Sequence, residues 1–117
     1  MTLESLASDL GQHFRNQEDF SIKIEQLPFK IRCVALRWGT WLVRVHYNEG
    51  ARAAEGSAEI SEIVGSPELA GISRQIRAVF SSDDAREYTN EAIYMMQFLQ
   101  GIPGAILYDP QQRNLIK

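Results

Sequence analysis

Cys33 and His46 are the residues of this chain best suited to covalent chemistry. They lie in the longest strand-forming run, Phe29 to Tyr47, which Gly39-Thr40 divides with a two-residue hairpin turn. That turn pairs Trp38 with Trp41, Leu36 with Val43 and Val34 with Val45. One step further it sets Cys33 opposite His46, with Arg37 and Arg44 nearby. A thiol beside an imidazole and guanidinium groups is a candidate thiolate, the reactive form of cysteine. The competing reading is a buried mid-strand cysteine acting as a small hydrophobe, with His46 a polar edge residue. No third group suited to orient the imidazole accompanies the pair, so a thiol-dependent enzyme is the weakest of the functional readings.

Six basic residues, Lys23, Lys30, Arg32, Arg37, Arg44 and His46, fall on the same strands. They suggest an anion or RNA platform with Phe29 as a stacking aromatic. No RNA-binding motif accompanies them. The chain carries a net charge of -3 with a pI near 5.3, which argues against nucleic acid. The plainer reading is a solvated face on which lysine discourages edge-to-edge pairing.

Asp83, Asp84, Glu87 and Glu91 supply carboxylates, but the two histidines, His13 and His46, are far apart in the chain, so no metal site is expected. Gly101-Ile102-Pro103-Gly104 lacks the ending of a phosphate loop and follows a helix, so it reads as a helix stop. No cofactor is implied.

Composition bounds the rest. A chain of 117 residues with 44% hydrophobic and 23% charged residues is expected to form one globular domain, residues 1–117. The single cysteine excludes an internal disulfide. No signal peptide is legible at the N-terminus, and no apolar run is long enough to span a bilayer. A cytoplasmic protein is the expectation.

The elements that must position the candidate residues follow from periodicity. Leu3, Leu6, Leu10 and Phe14 make the stripe of a helix over about residues 2–17, capped by Thr2. Phe20, Ile22 and Ile24 alternate with polar residues in a first strand. A turn over Gln26 to Pro28 would bring Phe20 and Ile22 near Arg32 and Val34. The hairpin then has a core face of Val34, Leu36, Trp38, Trp41, Val43, Val45 and Tyr47. Its other face carries Phe29, Ile31, Cys33, Ala35 and Arg37 against Leu42, Arg44 and His46. Residues 48–65 read as a loop and then a weak helix near 57–64. Ser66-Pro67-Glu68 reads as a helix start with Leu69, Ile72, Ile76, Val79 and Phe80 as its stripe. A further helix opens at Ser81 or Ser82 with Asp83 and Asp84 in its first turn and buries Tyr88, Ala92, Met95, Met96 and Leu99. The surplus apolar surface of Tyr94 to Phe98 favours a buried helix or a dimer contact. One or two short strands around Ala105–Tyr108 and Arg113–Lys117 end the chain and are expected at the sheet edge.

The fold expected is therefore α+β: an N-terminal helix, a three-stranded antiparallel β-meander, two to three helices on one sheet face, and a short C-terminal strand or hairpin. This order resembles the layout of small secretion chaperones, which implies a protein partner. The function expected is that of a small non-enzymatic interaction protein, an adaptor, chaperone or assembly factor. Its partner face would comprise Phe29, Ile31, Arg37, Leu42, Arg44 and His46, since apolar residues mixed with arginine characterise interfaces. A homodimer is compatible with it. The alternative is a regulator that binds an anionic ligand or nucleic acid through the basic strand face.

Overall fold

A computed structural model describes residues 1–116 of the chain. The first element, α1 (Leu3–Phe14), begins in a capping box: Thr2 Oγ1 accepts from the Ser5 N–H, and Ser5 Oγ accepts from that of Thr2. Its stripe of Leu6, Leu10 and Phe14 is fully buried. Three strands follow as a meander, β1 (Phe20–Leu27), β2 (Ile31–Trp38) and β3 (Trp41–Glu49). A fourth strand, β4 (Arg74–Phe80), borders β3, so the sheet order is β1-β2-β3-β4. The fold is α+β, and the meander is four-stranded and antiparallel rather than three-stranded.

The two-residue turn and the predicted register of β2 and β3 are both present: Trp38 faces Trp41, Leu36 faces Val43 and Val34 faces Val45. The whole predicted core face from Val34 to Val45 is buried, with Tyr47 half-buried. The turn between β1 and β2 differs. It is a tight three-residue turn over Pro28–Lys30 in which Phe29 and Lys30 hold positive φ, and it places Ile22 opposite Leu36 and Phe20 opposite Trp38 rather than near Arg32 and Val34. Proline at the first position of that turn shifts it two residues along the chain from the predicted Gln26–Pro28.

The chain clusters into two compact units, one formed by Met1–Tyr47 with Ile76–Ala92, the other by Asn48–Gln75 with the chain from Ile93 onward. In the first, α1 packs on β1 and β2. Phe14 meets Trp38 edge-on at 5.0 Å and Phe20 at 5.6 Å. The ring cluster continues through Trp38 and Trp41 to Phe80 and Tyr88, and Tyr88 lies nearly parallel to Trp41 at 5.3 Å. Arg32 is tied to Glu4 of α1 at 2.8 Å.

In the second unit, residues 48–65 are no loop with a weak helix. They hold α2 (Ala51–Val64), bounded by Gly50 at φ 84° and Gly65 at φ 70°. Those two glycines delimit the helix. The Ser66 N–H donates to the Ser61 carbonyl at 3.1 Å, so Ser66 closes α2 and makes no side-chain cap of its own.

The helix predicted from Ser66 through Phe80 does not form. Residues Pro67–Gly71 make a short 3₁₀ turn with Leu69 buried, and the rest is β4. Backbone bonds from Gly50 N to Ser73 O and from Ser81 N to Leu42 O, both 2.9 Å, bind this segment along β3. Pairing with an otherwise open strand edge overrides helical spacing, and Gly71 interrupts that spacing.

The last helix, α3 (Thr89–Gln100), starts later than Ser81 or Ser82. Asp83 instead accepts from the N–H groups of Glu87 and Tyr88, both at 2.9 Å, and Arg86 at φ 56° breaks any helix there. Met95 is fully buried, Ala92, Met96 and Leu99 are half-buried, and Ile93 and Tyr94 are exposed. Strands β5 (Leu107–Asp109) and β6 (Asn114–Ile116) pair with each other as a separate hairpin and are not added to the edge of the main sheet. The predicted last strand extends to Lys117, which lies outside the described residues. No helix among the described residues is long and apolar enough to cross a membrane.

Candidate functional site

The sheet face that carries Cys33 is not an open platform. Cys33 and Ala35 are fully buried, as are Val34 and Leu36 on the opposite face, so mid-β2 is covered on both sides. The six predicted face residues therefore separate. Phe29, placed in the turn and not on a strand, is 95% exposed, and Ile31 beside it is 43% exposed. Arg37 is exposed at the far end of β2, about 20 Å away at the ordinary strand rise. Leu42 stands opposite Arg37, and Leu42, Arg44 and His46 are all half-buried.

Arg44 has a partner that sequence reasoning did not single out. Its Nε donates to Glu25 Oε1 at 3.0 Å, and Lys23 Nζ lies 3.9 Å from the other oxygen of the same carboxylate. Glu25 is also the cross-strand neighbour of Cys33. The alternation of Lys23 and Glu25 in β1 placed both on this face, and that signal was readable. Arg77 of β4 is the second residue missed. Its charge acts on His46, but the expectation of a helix over 66–80 concealed it. Arg32 leaves the basic set for the opposite face, where it binds Glu4.

Electrostatics follow from these neighbours. Burial, then the Glu25 carboxylate, push the Cys33 thiol up, against a smaller pull from Arg44. A thiol held protonated is a poor nucleophile. Burial, then the charges of Arg77 and Arg44, hold His46 below the usual imidazole range. An unfolded chain thus binds a proton at His46 at higher pH than the folded one does. The stability linked to neutral His46 is complete above about pH 6.5 and is lost as pH falls below that value toward the folded pKa. The urea midpoint of the protein is expected to fall between about pH 7.5 and 5.5, and His46→Gln is expected to flatten that slope. Equal slopes in the two proteins would refute the assignment.

Among the described residues no three of His, Cys, Asp and Glu converge as a metal site would require. A shallow, largely apolar recess of about 450 Å³ lies at the C-terminal hairpin, lined by Gln100, Ala105, Ile106, Leu107, Leu115 and Ile116. None of the predicted face residues borders it.

The geometry defines an α+β module with an exposed aromatic turn and a basic strand face whose charge Glu25 offsets in part. Neither a family model, a curated protein nor a solved structure matches the chain.

Proposed function

We propose that this is a cytoplasmic, non-enzymatic interaction protein, of the adaptor, chaperone or assembly-factor kind, that engages a protein partner at the Phe29 end of the β1–β2 hairpin. The observation that carries the reading is Phe29 itself. It is 95% exposed and sits at φ 64°, and Lys30 follows at φ 61°. Bulky residues avoid this left-handed region, at about 1–2 kcal/mol each. An aromatic ring held in water by a strained backbone stabilises nothing in the isolated chain. Aromatic residues, phenylalanine among them, are enriched in the cores of interfaces, and Ile31 and Lys30 extend the exposed patch with apolar and basic surface.

Phe29→Gly separates the two roles. Relief of the backbone is expected to raise stability by up to about 1 kcal/mol in urea denaturation. A photo-reactive phenylalanine analogue at position 29 is expected to cross-link a partner protein in cells, whereas the same group at Glu55 is not. The cross-link from position 31 should weaken in the Phe29→Gly background. Absence of any adduct at 29 and 31 would sink the reading.

The anion-binding alternative rests on Arg44, His46 and Arg77, which lie close enough to lower the His46 pKa. Glu25 neutralises part of that charge. Binding to a polyanion that weakens steeply with salt would favour the alternative.

A further inference from the structure

We infer that the free edge of β1 is a self-association site, taking β1 of a second copy of this chain antiparallel about a two-fold axis through Ile24. This does not depend on the Phe29 reading, since it uses the backbone edge of β1 with Lys23 and Glu25.

β1 is an outer strand of the sheet. Its hydrogen-bonding parity follows from two observations. In a two-residue hairpin the closing pair, here Trp38 and Trp41, exchanges both backbone bonds, so the even residues of β2 point toward β3. Consistently, the N–H of Gly39 donates across to the Asp19 carbonyl at 3.2 Å, and odd residues of β2 face β1. With the observed register, Ser21, Lys23, Glu25 and Leu27 spend their backbone groups on β2. Phe20, Ile22, Ile24 and Gln26 present theirs to the outside. An eight-residue strand with a free row of this kind is a template for another strand.

Charge then selects the occupant and the register. Centred on Ile24, antiparallel self-pairing sets Ile24 against its own copy and Ile22 against Gln26, all through outward-facing groups. The same register sets Lys23 opposite the Glu25 of the other copy, twice by symmetry. Those are non-hydrogen-bonded positions, where side chains approach most closely. Shifting the centre to Lys23 opposes two ammonium groups, and shifting it to Glu25 opposes two carboxylates. Lys23 thus acts as a selective guard: it rejects neighbouring registers and accepts this one. Ile24, 36% exposed, becomes the central apolar contact.

The test uses the full chain. Sedimentation over a concentration series up to about 1 mM is expected to show a monomer–dimer equilibrium. Backbone amides of Ile22, Ile24 and Gln26 should gain protection from hydrogen exchange as concentration rises, a readout that needs no variant. Lys23→Glu and Glu25→Lys are each expected to weaken dimerisation about tenfold, because both symmetric pairs become repulsive. An equimolar mixture of the two variants should restore it, since opposite charges face each other again in the mixed dimer. If Glu25→Lys fails to fold, Lys23→Glu and the exchange data decide alone. A monomeric wild-type chain at the highest concentration overturns the proposal, as does a dimer indifferent to Lys23→Glu or one without concentration-dependent protection of those amides. Folded variants whose mixture stays monomeric overturn it too. Protection of the edge only on adding a foreign extended peptide would assign it to another occupant, which also overturns it.

Discussion

Trp41→Ala is expected to destabilise the protein by about 3–5 kcal/mol, the usual loss for truncating a buried aromatic. Trp41 is only 3% exposed. It contacts Trp38 at 5.6 Å, stacks on Tyr88 at 5.3 Å and lies 5.9 Å from Phe80. Its indole N–H also donates to the Ser81 carbonyl at 3.0 Å. Removing the ring leaves a cavity among aromatics that cannot collapse without moving β4. It also deprives a part-buried carbonyl of its donor. Against a typical total of about 5–15 kcal/mol, the loss is a large fraction. Trp41→Phe separates the contributions: it keeps most of the packing and removes the donor, so a smaller loss of about 1–2 kcal/mol is expected. Urea denaturation followed by far-ultraviolet circular dichroism measures both. A Trp41→Ala loss below about 1 kcal/mol would mean that the ring cluster is not a core.

The elements legible in the sequence are those whose local signals and tertiary role agree. α1 has the predicted Thr2 cap and buries Leu6, Leu10 and Phe14 of the predicted stripe, while Leu3 is half-buried and the helix ends at Phe14, short of the expected residue 17. The β2–β3 hairpin is legible because Gly39-Thr40 sets the register and the alternation then decides the faces. β4 is not legible. Leu69, Ile72, Ile76, Val79 and Phe80 match helical spacing, yet Arg74–Phe80 also alternates tolerably as a strand. What decides between them is the free edge of β3, a long-range partner that no local window contains. α2 is obscured in another way. Gly50 reads as an interruption, whereas it marks the helix start at φ 84°. Gly56 lies inside the helix, where Gln75 Nε2 comes within 3.4 Å of the position a Cβ would take.

The candidate face divides along the same line. Phe29, Ile31, Arg37, Leu42, Arg44 and His46 belong to one surface in an isolated hairpin. Burial of Cys33 and Ala35 between them splits that surface into an open end and a half-buried charged group. Sequence shows which side chains share a face, but not which stretch of the face other elements cover. Charge shows the same limit. Counting cations on the strands gives a basic platform, while Glu25, at 3.0 Å from Arg44, offsets part of its charge.

Gly39→Ala tests the turn that sets the register of β2 and β3, and it is expected to cost about 2–3 kcal/mol. Two causes contribute. Gly39 sits at φ 58°, where a Cβ crowds its own backbone. A Cβ there would also lie 2.9 Å from the Tyr88 hydroxyl oxygen, too close without displacement of the ring that stacks on Trp41. Tyr88→Phe removes the nearest atom and leaves the stacked ring. In that background Gly39→Ala should cost only the backbone component, about 1–2 kcal/mol. The coupling between the two substitutions in a double-mutant cycle then reports the steric component alone. Gly39→Asn gives an independent check, because asparagine tolerates positive φ better than alanine but carries the same Cβ. It should lose less than alanine in the Tyr88→Phe background, while meeting the same clash in the wild-type one. Equal costs for Gly39→Ala in both backgrounds would show that Tyr88 does not pack over the turn. A loss below about 0.5 kcal/mol in either would show that position 39 does not hold positive φ, and the register of β2 and β3 would then need another cause.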